Sequence, residues 1–263
     1  AVLLGVVQGL TEFLPVSSSG HLILARAVIG WDAGQLGLAF DVACHLGTLV
    51  AVIACFRTDV MAMLWSAPSA LTGDMSEPAR LVRLVAAGTV PVVAVGLALG
   101  GAVTDDTRGA GTVAVTLALG AVGLLVAERA GRHEREATSL GYAEALVIGV
   151  AQALALVPGI SRSGATLTAA LLLGLRRESA ARFVFLLSLP AVLAAGAKAG
   201  KDLIDAGVEV PVALFATGFA VSALVGYVTV KFFVRWLAGH SLDVFAYYRL
   251  LVAGGTGLWL LLR

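Results

Sequence analysis

The sequence predicts an all-α polytopic membrane protein, with six transmembrane helices and two re-entrant helix-turn-helix hairpins arranged as inverted-topology repeats. Three observations lead there. Hydrophobic residues make up 59% of the 263 and charged residues 13%, against about 45–50% and about 25% in soluble domains, which argues against a soluble enzyme. Six apolar runs approach the roughly 20 helical residues that cross about 30 Å of hydrocarbon. Two further apolar segments are broken midway by Pro, Gly, Ser and charge, and they resemble each other. A transmembrane β-barrel would show strands of alternating polarity instead of continuous runs. The 31 glycines lie scattered through apolar stretches that could hardly stay solvated, so disorder is set aside as well.

Taken in order, residues 1–30 form the first broken segment, followed by candidate spans at 36–56, 82–103 and 111–127; residues 142–175 form the second, followed by 182–199, 211–231 and 244–262. A break in a membrane segment leaves backbone groups unpaired, and is tolerated where protein or a wet cavity surrounds it. A re-entrant hairpin satisfies that condition. Residues 1–14 lack a basic leader, so no cleavable signal peptide is expected, and the chain starts without Met, as a trimmed native N-terminus would.

Six crossings put both termini on one side. Arg57, Arg80 and Arg83, then Arg129, Arg132 and Arg135, then Arg176, Arg177 and Arg182 fall on a single side, which the positive-inside rule makes cytoplasmic. The opposite connections carry Asp105, Asp106 and Arg108, and Lys198, Lys201, Asp202, Asp205 and Glu209. Both termini are therefore expected to face outward.

At an offset of 144 residues Gly5, Val6, Gln8, Leu10, Ser17, Ser19 and Gly20 match Gly149, Val150, Gln152, Leu154, Ser161, Ser163 and Gly164. Three crossings after each hairpin invert the second copy relative to the first, and paired interrupted segments in such halves mark a binding site. The chain therefore reads as a single transmembrane domain over 1–263, with repeat 1 at about 1–127 and repeat 2 at about 142–263.

In the first hairpin, Gln8 and Glu12 share one helix face, four residues apart. Pro15 and Val16 lead to Ser17, Ser18, Ser19, Gly20 and His21, where a new half-helix offers N–H groups suited to an anion. The second hairpin runs Pro158-Gly159-Ile160-Ser161-Arg162-Ser163-Gly164-Ala165-Thr166, and Arg162 is the sole basic residue between Arg135 and Arg176. An intramembrane Arg costs about 3 kcal/mol on insertion scales, so it is expected to be paired or to bind an anion. A guanidinium flanked by serines at a helix N-terminus suits a phosphate group. Blander readings stand beside these: Glu12 as a structural partner of Arg162, the serines as helix caps, His21 as a packing histidine. His45, one turn after Asp41, reads either as a support to the site or as structural. His133 and His240 fall in loops and are expected to be solvated, and Gly96 with Gly100 and Gly196 with Gly200 to be helix-packing positions. Cys44 and Cys55 read as packing residues, being too few for a structural zinc site.

These motifs resemble the bacterial undecaprenyl-diphosphate phosphatases of the integral-membrane, bacitracin-resistance type. The signatures are Glu/Gln-x-x-x-Glu running into Pro-Val-Ser-Ser-x-Gly-His, here Gln8 to His21, and Pro-Gly-x-Ser-Arg-Ser-x-x-Thr, here Pro158 to Thr166; Phe40 to Gly47 also looks like the family's first full crossing. The resemblance implies removal of a phosphate from a C55 polyprenyl diphosphate released in cell-wall assembly, in the bacterial inner (plasma) membrane and with the active site facing outward. It implies a divalent cation, usually Mg²⁺, with Glu12, His21 and Arg162 catalytic, Ser18 as candidate nucleophile, and Gln8, Ser17, Ser19, Ser161, Ser163 and Thr166 on the substrate. Gln8 stands where Glu is frequent, so Glu12 and the diphosphate are expected to hold the metal together. Ser18 activated by His21, with Glu12 orienting the imidazole or holding metal, is one expected arrangement; direct attack by His21 is its rival.

A lipid or ion-coupled transporter or flippase is the alternative function, because inverted repeats with broken helices are first a transporter signature. Type-2 phosphatidic acid phosphatases are rejected: residues 163–170 hold no His, and no Lys-x6-Arg-Pro precedes them. The expected partners are a polyprenyl diphosphate lipid and the bilayer. Net charge is +1 with dispersed basic residues, so no nucleic acid is expected, and the sequence leaves a homodimer open.

Overall fold

The computed structural model describes residues 1–31, 34–106, 109–205, 207 and 211–262. Arg108 and Glu209, counted above among the loop charges, lie outside them, as do the side chains of Asp105 and Asp106. Among the described residues the fold is all-helical: α1 (Val2–Thr11), α2 (Ser18–Ile29), α3 (Gly34–Cys55), α4 (Arg57–Ala70), α5 (Glu77–Asp106), α6 (Ala110–Ala130), α7 (Tyr142–Leu154), α8 (Arg162–Leu172), α9 (Arg177–Asp205), α10 (Val212–Leu237) and α11 (Asp243–Leu261). Among the described residues five helices, α5, α6, α9, α10 and α11, are long and apolar enough to cross a membrane, or six where the bent pair of α3 and α4 counts as one span.

All six expected spans are helical, and the two broken segments are the helix pairs α1–α2 and α7–α8. The stretch after residue 56, expected as a loop, is instead the helix α4, turned 90° from α3. Its Met61, Leu64 and Trp65 are exposed while Arg57 and Asp59 open its first turn, a composition suited to lying along a membrane interface. Prolines explain the hairpin breaks. Pro15 and Pro158 bias the residues before them away from helix and remove a donor, and residues 12–16 and 155–160 form turns and bends.

Helix α9 occupies the centre. Residues 183–189 are buried without interruption, as expected of a helix that is apolar on every face. Phe185 anchors the core: Phe13 of the first turn meets it edge-on at 5.5 Å between ring centroids, and Phe56 and Phe233 pack beside it. Around this helix, α1 lies against α10 and α7 lies against α5, so the first helix of each hairpin packs on the other half of the chain. Small residues permit the approach. A Cβ on Gly149 of α7 would run into the backbone of Gly88 on α5. Of the glycines named from sequence, Gly196 abuts Leu46, Gly96 and Gly200 have nothing within 4 Å of where a Cβ would sit, and the surroundings of Gly100 lie outside what is described.

At the basic end ion pairs fasten the helices. Glu128 of α6, buried, accepts from Arg177 Nε at 3.0 Å and from the Leu242 N–H at 2.9 Å, so α6, α9 and the start of α11 meet at one carboxylate. His133, expected to be solvated, is tucked against it, with Nε2 3.1 Å from the Glu128 carbonyl oxygen. His240 is exposed and stacks on Trp236. Cys44 and Cys55 are both free thiols; Cys44 is buried in a small cluster with Leu4, Leu22 and Phe40, in keeping with a packing role.

Candidate active site

Both hairpin turns end in the same device. Ser17 and Ser161 take left-handed backbone conformations, each at φ 74°, and their hydroxyls accept from the N–H of Gly20 at 3.3 Å and of Gly164 at 3.1 Å. Each serine thus caps a half-helix, and the N-termini of α2 and α8 open with Ser18 and Arg162. The turns are tied together. Ser163 Oγ donates to the Leu14 carbonyl at 3.1 Å, and the Gly159 N–H donates to Ser19 Oγ at 3.4 Å.

Between them lies a cavity of about 210 Å³, lined on its polar side by Glu12, Ser18, Ser19, His45, Gln152, Ser161 and Arg162 and on its apolar side chiefly by residues of α9 and of the second hairpin turn. Glu12, at the end of α1, is buried and organises the polar groups. Its Oε1 takes the Arg162 guanidinium. Its Oε2 accepts from Gln8 Nε2 at 2.8 Å and from Ser18 Oγ at 2.6 Å, with His45 Nε2 at 3.3 Å. The ion pair considered as a bland reading therefore exists, and it sits inside the cavity beside a serine hydroxyl. Two helix N-termini and a guanidinium at one opening give a strongly anion-attracting mouth.

The expected residues divide into three groups. Glu12, Ser18, Ser19, Ser161 and Arg162 face the cavity, and Gln8 reaches it through Glu12. Ser17, Ser163 and Thr166 hold the turns and α8; Thr166 Oγ1 donates back to the Arg162 carbonyl at 2.7 Å. His21 stands apart from Ser18: its Nδ1 is 2.7 Å from the Ser17 carbonyl oxygen and its Nε2 2.8 Å from the Tyr248 hydroxyl. The Ser18 hydroxyl is bonded to Glu12, and the imidazole beside Glu12 is that of His45. Residues three apart on a helix are neighbours on one face, so the separation comes from the partners of the ring: the Ser17 carbonyl and the Tyr248 hydroxyl hold the His21 imidazole, whereas α3 brings His45 across from another part of the chain.

Sequence reasoning missed Arg249. This side chain on α11 is wholly buried and donates to five carbonyls: Nε to Leu117 at 3.1 Å, Nη1 to Pro15 at 3.2 Å, and Nη2 to Thr116, Gly159 and Ile160 at 3.2, 3.2 and 3.0 Å. One guanidinium thus holds both hairpin turns against α6. Gly120 leaves it room, since a Cβ there would strike the guanidinium. The signal was available: Arg249 is a lone charge within an apolar span, the same argument that singled out Arg162.

Among the described residues no three His, Cys, Asp or Glu side chains gather to hold a metal ion. Glu12 is the one carboxylate of the cavity lining, and Gln8 adds an amide oxygen, Oε1, that is buried without a partner. One carboxylate and one unpaired oxygen fit a Mg²⁺ that takes its remaining ligands from a diphosphate.

The family profile of the bacitracin resistance protein BacA matches residues 1–255. A protein of Rubrobacter xylanophilus is 50% identical over all of this chain and 98% of its own length. Relatives in Alcanivorax borkumensis (46%, over 99% of this chain and 98% of the relative) and Hahella chejuensis (43%, over 98% and 97%) follow. All three bear the name undecaprenyl-diphosphatase. A profile that spans the chain, together with relatives aligned almost end to end, places this protein in the bacitracin resistance protein BacA family.

Proposed function

We propose that this protein removes the terminal phosphate of undecaprenyl diphosphate, a C55 polyprenyl diphosphate, releasing undecaprenyl phosphate and inorganic phosphate. The observation that carries the reading is the 2.6 Å hydrogen bond from Ser18 Oγ to Glu12 Oε2, on a carboxylate whose other oxygen holds Arg162. A hydroxyl, a base and a phosphate-binding cation thereby converge where two helix N-termini meet.

Glu12 takes the Ser18 proton as Oγ forms a bond to the terminal phosphorus. The bond from that phosphorus to the bridging oxygen breaks, and the lipid monophosphate leaves with the electron pair. Protonation of Glu12 weakens its hold on Arg162, whose N–H fork then serves the oxygens of the transferring phosphoryl group. Water next attacks phosphorus, the Ser18 Oγ–P bond breaks, Oγ recovers the proton held on Glu12, and dihydrogen phosphate leaves with both water protons. Mg²⁺, held by Glu12, Gln8 Oε1 and the diphosphate, would supply charge neutralisation of the substrate. Arg162, Ser161 and the half-helix N–H groups position the phosphoryl group, which is most of what phosphoryl transfer asks of a protein.

The excess of arginines at the ends joined by the Glu128 ion pairs supports a cytoplasmic placement of that end, and with it an outward-facing site and outward termini in the inner membrane. The shared serine caps and the exchanged packing of α1 and α7 support two inverted repeats. A transporter alone is the weaker reading, because moving a lipid requires no hydroxyl bonded to a buried carboxylate.

The test is phosphate release from a polyprenyl diphosphate by purified protein in detergent, with and without EDTA, beside Glu12→Gln and Arg162→Ala. Release by the wild type, lost in both variants while they remain folded, is the expected result. A folded wild type that releases no phosphate with added Mg²⁺ overturns the reading.

A further inference from the structure

Gln152, on α7, lines the cavity yet takes no part in the hydrogen bonds that join Glu12, Ser18 and Arg162. It is 1% exposed, and neither Nε2 nor Oε1 has a hydrogen-bond partner among the described residues. Its counterpart at the 144-residue offset, Gln8, donates to Glu12; where that carboxylate would recur, the second hairpin has Leu156. One explanation is that the amide is a remnant of duplication. Cost argues otherwise: each buried polar group left unsatisfied is unfavourable, and an apolar side chain of the same shape would avoid the cost. The apolar lining of the cavity, Val92, Leu156 and Val192 among it, offers no side-chain partner, which leaves the occupant of the cavity as the source of one.

We propose that the Gln152 amide recognises the second, lipid-linked phosphate of a diphosphate substrate. The inference rests on the phosphatase reading above and deepens it. With the terminal phosphoryl group at Ser18 and Arg162, its neighbour across the bridging oxygen lies in the same cavity, whose polar lining includes the unpartnered Gln152 amide. Nε2–H donates to an oxygen of the second phosphate, while Oε1 accepts from a phosphate hydroxyl or a water. A neutral amide gives this recognition without a second fixed cation that would retain the monophosphate product.

The experiment measures binding of methylenediphosphonate, which cannot be hydrolysed at its bridge, and of inorganic phosphate to the detergent-solubilised protein by calorimetry, together with thermal unfolding, for wild type, Gln152→Leu and Gln152→Met. Loss of one hydrogen bond to a charged ligand is expected to weaken methylenediphosphonate about tenfold. Phosphate binding is expected to stay unchanged, and the variants to unfold no earlier than wild type. Unchanged affinity for both ligands overturns the proposal in favour of a remnant, equal weakening of both places the amide on the terminal phosphate instead, and earlier unfolding in both variants makes it structural. Binding requires no turnover, so Gln152 is assessed separately from the phosphatase reading, which fails on absent phosphate release.

Discussion

Ser17 and Ser161, 144 positions apart in the sequence, occupy the same left-handed backbone conformation and cap successive half-helices with the same hydroxyl. A non-glycine residue pays for that conformation, by about 1 kcal/mol or more, and the cap returns about as much. Ser161→Ala keeps the strain and loses the cap, so it is expected to cost about 1 kcal/mol. Ser161→Gly relieves the strain and is expected to remain within about 0.5 kcal/mol of wild type. Thermal unfolding of the two variants in detergent separates these outcomes.

The Ser18–Glu12 bond predicts the chemical nature of the intermediate. Acid quenching during turnover of diphosphate labelled in its terminal phosphate is expected to trap an acid-stable phosphoserine at Ser18. Acid-labile label would move the nucleophile to His21 and sink the Ser18 assignment.

His45 approaches Glu12 with Nε2, its Nδ1 lying 2.7 Å from the Asp41 carbonyl oxygen. If the ring serves by donating to the carboxylate, His45→Gln, which keeps a donor, is expected to retain phosphate release within about threefold, and His45→Leu to lose about tenfold. Steady-state kinetics on both variants decide, since equal losses would show that a donor is not what matters.

Arg249 predicts a stability effect far larger than its surface neighbours. Arg249→Met leaves buried carbonyls of both turns unpaired, and is expected to destabilise the fold by at least about 3 kcal/mol. Hydrogen exchange is expected to accelerate first at residues 155–166, because these lose their tie to α6. A variant that unfolds with the wild type would remove Arg249 as the clamp of the turns.

The loop between α4 and α5 predicts a small acid dependence. The Ser76 N–H, then the Ser69 and Ser76 hydroxyls, hold the Asp74 carboxyl below its ordinary range. A carboxyl depressed in the folded state contributes stability at pH above its unfolded value, and that contribution is lost as pH falls through the folded value. Asp74→Asn is therefore expected to lower stability slightly at neutral pH and to flatten the acid limb of the profile below about pH 4, so that the two proteins converge in acid. Unfolding midpoints measured across pH 2–7 would reveal an unchanged limb if the loop bonds do not form.

What the sequence determined by itself was whatever depends on neighbours along the chain. Apolar run lengths marked the spans, Pro15 and Pro158 broke the hairpins, and Ser17 and Ser161 announced the caps, because hydrophobic length, φ restriction and capping are local properties. The motifs around Glu12 and Arg162 also named the two turns that meet. Tertiary structure alone decided which side chains touch. His21 and Ser18 are three residues apart on α2 yet bond different partners, while Glu12 and Arg162, 150 residues apart, pair across the cavity. Arg249 clamps turns more than 200 and some 90 residues away from it, and His45 arrives on α3. Those contacts depend on how helices pack in three dimensions, which periodicity along one chain does not encode: a helix specifies the face on which a residue lies, and only the neighbour across that face specifies what the residue does.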